Sequence, residues 1–143
     1  MKILIASDHG GYVLKNELIE SKEYEFVDCG CFSEERTDYP IYAFKMCEKL
    51  LNENYDLGIA ICKTGIGMSI ACNKVKNIRC AKIDNINDAK YAKCHNNANV
   101  LAISSVKTKE EVLELIKEFA NNEFMNEQHL IRLNMIKDYE NEH

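Results

Sequence analysis

No stretch of this 143-residue sequence is long and apolar enough to cross a bilayer or to form a secretory leader. The longest apolar run near the start, Ile3-Leu4-Ile5-Ala6, follows a single lysine and then ends. The expected compartment is therefore the cytoplasm, with no membrane partner. A basic excess is missing as well. Eighteen lysines and arginines stand against 23 aspartates and glutamates, a net charge of −5, so the positive field that holds a nucleic-acid backbone is absent and no nucleic-acid partner is expected. Repeats, low-complexity tracts and long linkers are also lacking, and 46% hydrophobic content over residues 1–143 fits a single domain.

Cysteine is plentiful but unpatterned. The seven cysteines are an odd number with no C-x-x-C pair, and a reducing compartment does not favour disulfides. Cys29 and Cys31 could face one side of a strand end, yet no second pair completes a zinc site. Neither a metal nor a cofactor is expected. A dinucleotide enzyme needs G-x-G-x-x-G after its first strand, and Gly10-Gly11 does not supply that spacing. A receiver-like module needs an aspartate ending the third strand, where this chain has Cys62, and an acidic pair after the first, where Asp8 is followed by His9. Pro40, the one proline, stands where the second helix should start and its missing N–H does no harm.

What is present alternates. Short apolar runs at Lys2–Ala6, Glu25–Cys29, Leu57–Ile61, Cys80–Ile83 and Val100–Ile103 read as five strands. Between and after them, Leu14-Leu18-Ile19, Tyr42-Met46-Leu50, Ile70-Val75, Ala89-Ala92 and Val112-Leu115-Ile116-Phe119 are spaced as helix faces. This β-α alternation predicts an α/β fold with a five-stranded parallel sheet and right-handed crossovers. Residues 126–142 carry Leu130, Leu133 and Ile136 among charges, which reads as a C-terminal helix whose apolar stripe covers a partner subunit.

Parallel sheets bind ligands beyond the carboxyl ends of their strands. Three polar stretches are expected to converge there: Ser7-Asp8-His9-Gly10-Gly11 after strand one, Cys62 to Ser69 after strand three, and Cys94 to Asn99 before strand five. Gly65 and Gly67 flank Ile66 in a turn whose N–H groups, through Met68 and Ser69, could cradle an anion at a helix N-terminus. A plain strand-to-helix turn would use the same glycines. Cys62 adds chemistry: a free thiol, with its pKa of about 8.5, is a few per cent ionised at neutral pH, and a helix N-terminus with Lys63 beside it would favour the thiolate. The alternative for Cys62 is a small buried hydrophobe, the reading given to Cys72 and Cys80. His9 and His95 could exchange protons near neutral pH, His129 could reach the edge of the site, and Asp8 could accept from a sugar hydroxyl or simply cap a helix.

Together these pieces resemble a family. Ser7-Asp8-His9-Gly10-Gly11, Asp38-Tyr39-Pro40, Cys62-x-Thr64-Gly65-Ile66-Gly67-Met68-Ser69, Asn73-Lys74-Val75 and His95-Asn96-Asn97-Ala98-Asn99-Val100, in this order, are similar to type B ribose-5-phosphate isomerases and their galactose-6-phosphate isomerase relatives over nearly the whole chain. The resemblance implies a Rossmann-like three-layer sandwich and a homodimer, or a tetramer built on it, in which each active site borrows residues from the other subunit. The helix at 126–142 would be the dimer element. It implies an aldose-ketose isomerisation of a phosphorylated sugar through an enediolate, most simply ribose 5-phosphate to ribulose 5-phosphate. In that scheme Cys62 takes the C2 proton, Thr64 assists, the loop N–H groups from Gly65 to Ser69 hold the enediolate, and His95 with Asp8 opens the sugar ring. His9, Tyr39 and Asn96 line the sugar and phosphate sites, with Arg132 on the phosphate.

Three positions depart from the resemblance. Relatives usually read Cys-Gly-Thr-Gly, whereas Lys63 replaces the first glycine here, and Val106 and Gln128 stand where phosphate-binding arginines are usual. At about 1.5–3 kcal/mol per charge-assisted contact, two lost arginines weaken phosphate binding by about 3–6 kcal/mol. Lys107 and Lys63 could supply substitute charge. A six-carbon sugar phosphate as substrate, a catalytically weak sugar-binding paralogue, and a nucleophilic cysteine hydrolase built from Cys62 and His95 are the alternatives.

Overall fold

Alternate residues of a strand point to opposite faces of its sheet, and in this chain the two faces are of different size. The computed structural model describes every residue from Met1 to His143. Its order is β1 (Lys2–Ser7), a 3₁₀ turn (His9–Gly11), α1 (Tyr12–Ser21), β2 (Glu25–Asp28), α2 (Tyr39–Asn52), β3 (Leu57–Cys62), α3 (Ile66–Cys72), β4 (Cys80–Lys82), α4 (Ile86–Cys94), β5 (Val100–Ser104), α5 (Lys109–Ala120) and α6 (Glu127–Glu142). All strand pairs are parallel, in the order β2-β1-β3-β5-β4. The five predicted strands and the α/β class are present, with helices on both sides of the sheet.

One face carries the bulk. Ile3, Ile5, Ile59, Ile61, Leu101 and Ile103 meet Leu18 of α1, Ala89 and Ala92 of α4, and Val112, Ile116 and Phe119 of α5. Each such isoleucine or leucine contributes roughly 1.5–3 kcal/mol by leaving water. The other face is nearly flat at its centre, where Ala6, Ala60 and Ala102 pair in register across β1, β3 and β5. The sulfur-bearing side chains Met46 and Cys47 of α2 and Met68 and Cys72 of α3 fill that side. Gly58 belongs to this face, and a β-carbon there would press on Met46 Cε at 3.0 Å.

Element ends follow local chemistry. Thr108 and Glu111 form a capping box that starts α5, and Asn85 Oδ1 accepts from Asp88 N–H to start α4. Helix α3 starts at Ile66, ahead of the predicted Ile70-Val75 stripe, because Gly65 turns the chain in the left-handed region (φ 80°). Val75 lies beyond its end.

The last helix stands apart. The Met125 N–H donates to Cys94 O (3.0 Å) and the Asn77 N–H to Glu140 Oε2 (3.1 Å), while Ile131, Met135 and Tyr139 are about two-thirds exposed. Between α6 and the β4 edge lies a cavity of about 650 Å³ bordered by Ile78, Ala98, Leu133, Ile136 and Tyr139. No helix is long and apolar enough to cross a membrane.

Candidate active site

From the centre of the sheet the chain leaves β1 toward β2 on one side and β3 toward β4 on the other, so the carboxyl ends of β1 and β3 border a crevice. The loop after β1 is built tightly. Asp8 Oδ1 accepts from the N–H groups of Gly10 (3.0 Å) and Gly11 (3.2 Å), so the carboxylate caps the 3₁₀ turn. Its Oδ2 has no partner within the chain. Gly11 is obligatory, since a β-carbon would fall 2.6 Å from Ile61 Cγ2.

Cys62 ends β3 on the α2–α3 face and is 5% exposed as a residue. Its carbonyl accepts from Ser105 N–H (2.9 Å), and Ser104 Oγ donates to the Lys63 carbonyl (2.7 Å), so β5 holds the loop from behind. Thr64 Oγ1 accepts from Ile66 N–H (3.1 Å), which leaves the hydroxyl proton free to be donated elsewhere. Ser69 N–H is taken by Gly65 O. The N–H groups of Gly67 and Met68, in the first turn of α3, have no intrahelical acceptor. Met68 is fully buried in the single chain, whereas Gly67 is partly exposed. The Tyr39 ring covers Gly67 so closely that a β-carbon there would lie 2.7 Å from Cζ.

His9 completes this group. The Thr37 N–H donates to His9 Nδ1 (3.2 Å) when that nitrogen is unprotonated, and Thr37 O lies equally near to accept when it is protonated. The end of β2, from which the chain runs toward Thr37 and Tyr39, is held by Lys15. The fully buried Lys15 ammonium donates to Asp28 Oδ2 (2.8 Å), and Asp28 Oδ1 accepts from Gly30 N–H (2.8 Å). Sequence reading passed over Lys15, one position off the Leu14-Leu18 stripe, because only its tertiary partner marks it. Ser104 was findable as the residue just past the fifth apolar run.

The expectation that Cys94 to Asn99 joins this edge is corrected. In a parallel sheet the residues before a strand lie at its amino end, and Asn99 O accepts from the N–H of Gly58, the second residue of β3 (3.0 Å). Cys62 is four residues further along the same strand, about 13 Å away at strand rise. His95, Asn96, His129 and Arg132 therefore form a second group at the opposite edge. There the His95 ring stacks on Tyr91 (centroids 4.6 Å apart, 28°) and on His129 (4.2 Å, 12°). His129 is 9% exposed, and burial, followed by the charges of His95 and Arg132, holds its pKa below the ordinary imidazole value. Asn96 and Arg132 are exposed.

Charge and thiols fill in the rest. Lys63 is exposed and in no ion pair, whereas Lys107 Nζ is taken by the Asp84 carbonyl (2.6 Å). Behind Cys62, Cys72 is drawn down by Cys47, but Cys80 and burial outweigh this and push its thiol well above the ordinary range. Such a thiol is a packing group, as expected for Cys72. No three His, Cys, Asp or Glu side chains converge closely enough to hold a metal ion.

The same chain plan recurs in other proteins. YwlF of Bacillus subtilis, named provisionally as a sugar phosphate isomerase, is 42% identical over 98% of this chain and 97% of its own. Ribose-5-phosphate isomerase B of Clostridium thermocellum superposes with a TM-score of 0.92 at 38% identity, covering 99% of both chains. The isomerase B of Mycoplasma genitalium, solved with bound ribulose 5-phosphate, gives 0.89 at 38% identity over 99% of this chain and 97% of that one. A family model described as Ribose/Galactose Isomerase matches residues 3–136, and on these grounds the chain belongs to that family, as a sugar-phosphate isomerase of the ribose-5-phosphate isomerase B type.

Proposed function

We propose that the chain interconverts ribose 5-phosphate and ribulose 5-phosphate through an enediolate, at sites that two copies complete together. The observation that carries the reading is the Cys62 thiol at a strand end beside Thr64 and the first-turn N–H groups of α3. A base over one carbon and donors over the adjacent oxygens are what an enediolate requires. Cys62 as thiolate takes the proton from C2 and returns it to C1. The Thr64 hydroxyl moves the proton between O2 and O1, and the N–H groups of Gly67 and Met68, within the Gly65–Ser69 loop, face the developing charge. Asp8 and His95 open the ring before this step, with His9, Tyr39 and Asn96 along the sugar and Arg132 on the phosphate.

Since Asp8 and Cys62 lie at one sheet edge and His95 and Arg132 at the other, one chain cannot bring them to one substrate. A homodimer joining unlike edges can, and the uncovered stripe of α6 with its cavity is the surface proposed to make it. A second reading rests on charge. Val106 is 80% exposed and Gln128 is neutral, so a six-carbon sugar phosphate held with fewer cations is the alternative.

Proton NMR in deuterated water tests both. Conversion of ribose 5-phosphate with deuterium entering C1 of the ribulose 5-phosphate formed, and C2 of the ribose 5-phosphate on reversal, lost in Cys62→Ala, supports the proposal. Conversion of a hexose phosphate alone moves the substrate, and binding without any exchange leaves a sugar-binding protein.

A further inference from the structure

The His95 ring makes no hydrogen bond within the chain: the only imidazole hydrogen bonds are those of His9 and His143. Its backbone is fixed as the cap of α4, where its N–H donates to Tyr91 O (3.0 Å), but that leaves the ring free to turn about its side-chain bonds. What restrains the ring is stacking. Two rings nearly parallel to His95 at 4.6 and 4.2 Å cannot share one face, so Tyr91 covers one side and His129 the other. Both ring nitrogens stay uncommitted along the open rim.

We infer that His129 is a positioning residue, clamping the His95 ring against Tyr91 so that its free nitrogens meet the sugar ring at a fixed angle. This rests on the proposed ring-opening role of His95. The two clamp residues differ in origin. Tyr91 lies on the same helix as His95, one turn earlier, and would accompany it in any motion. His129 comes from α6, which is otherwise tied to the domain by few contacts, and it is the buried residue of that helix. Arg132 follows three positions later on the same helix face. The stack therefore sets α6, and with it the Arg132 guanidinium, in register with the imidazole that must act beside it.

The test separates ring opening from proton abstraction. Ribulose 5-phosphate cannot close a five-membered ring, because its C5 oxygen carries the phosphate, so exchange of its C1 proton with deuterated water needs the base but not ring opening. Ribose 5-phosphate enters as a closed ring and needs both. In His129→Ala at saturating sugar phosphate, where a weaker hold by Arg132 does not enter, conversion of ribose 5-phosphate should fall roughly tenfold to a hundredfold, part of the 10²–10⁴ that a placed acid-base group supplies, while C1 exchange from ribulose 5-phosphate stays within about twofold. His129→Phe, which restores a flat ring, should recover most of the lost rate. Should the alanine variant not fold, His129→Leu keeps the volume without a stacking face and takes its place.

Equal loss of both activities, no loss of either, or a phenylalanine variant as impaired as the alanine or leucine one would overturn the positioning role. Wild-type protein that exchanges no C1 proton would instead overturn the isomerase reading beneath it, which the variants alone would not reveal.

Discussion

The imidazoles of His95 and His129 lie 4.2 Å apart and 12° from parallel, with Arg132 on the same helix as the second ring. Positive charge on His129 would meet this stack and the neighbouring guanidinium unfavourably, so the arrangement favours a neutral His129.

Stability should therefore fall on mild acidification. Burial, then His95 and Arg132, depress the pKa of folded His129 below the unfolded value of about 6.5. The unfolded chain then binds the proton more readily. The contribution is complete above about pH 6.5 and is lost as pH falls through the folded value. Thermal unfolding followed by circular dichroism between pH 7.5 and 5.5 should show a larger drop in Tm for the wild type than for His129→Phe.

Cys62→Ala should fold normally, since it removes one sulfur from the end of β3, where the cross-strand neighbour on β5 is the small Ser104. Turnover should fall by about 10²–10⁴, the span of a lost general base. Matching near-ultraviolet spectra with an unchanged rate would remove Cys62 from the mechanism.

Mixing Cys62→Ala with His95→Ala should restore activity. If subunits exchange at random, half the dimers carry one defect each and keep one intact site of two, giving about one quarter of wild-type activity. Sites made within one chain would give no recovery at any mixing ratio.

Lys63→Gly should raise KM for the phosphosugar by roughly 3–10-fold with kcat little changed. Its ammonium has no ion-pair partner, and its β-carbon would lie 4.0 Å from one placed on Gly10. Exposure limits such a contact to about 1 kcal/mol or slightly more. Lys63→Arg should keep the low KM, and added salt should raise the wild-type KM toward that of the glycine variant.

Gly11→Ala should cost about 1–3 kcal/mol, because the new methyl meets Ile61 at 2.6 Å and its carbonyl oxygen at 2.8 Å. The urea midpoint reads this directly. Activity should fall further than stability alone explains, since the displaced turn is the one Asp8 caps.

Much of this was legible because it is local. Strand runs such as Ile3-Leu4-Ile5-Ala6 bury both faces and so stand out, and Gly65 marks its turn by a conformation few other residues adopt. The edge on which His95 lies was misjudged from a loop's polarity alone; strand direction decides it, since Asn99 precedes β5 while Cys62 ends β3. The Lys15–Asp28 pair spans 13 residues between a helix and a strand edge, and the contact of His129 with His95 spans 34. Neither separation follows a helix or strand period, so no pattern within a window could reveal them.

The alanine rung of Ala6, Ala60 and Ala102 makes this enzyme's tolerance to change directional. On the isoleucine face a side chain can be shortened and the protein survives with a cavity. At the alanine rung almost nothing is left to shorten, and lengthening there presses on α2 and α3, which pack over it. Random substitution would thus find the isoleucine face forgiving and the alanine rung closed, and the rung lies on the face that also carries the thiol.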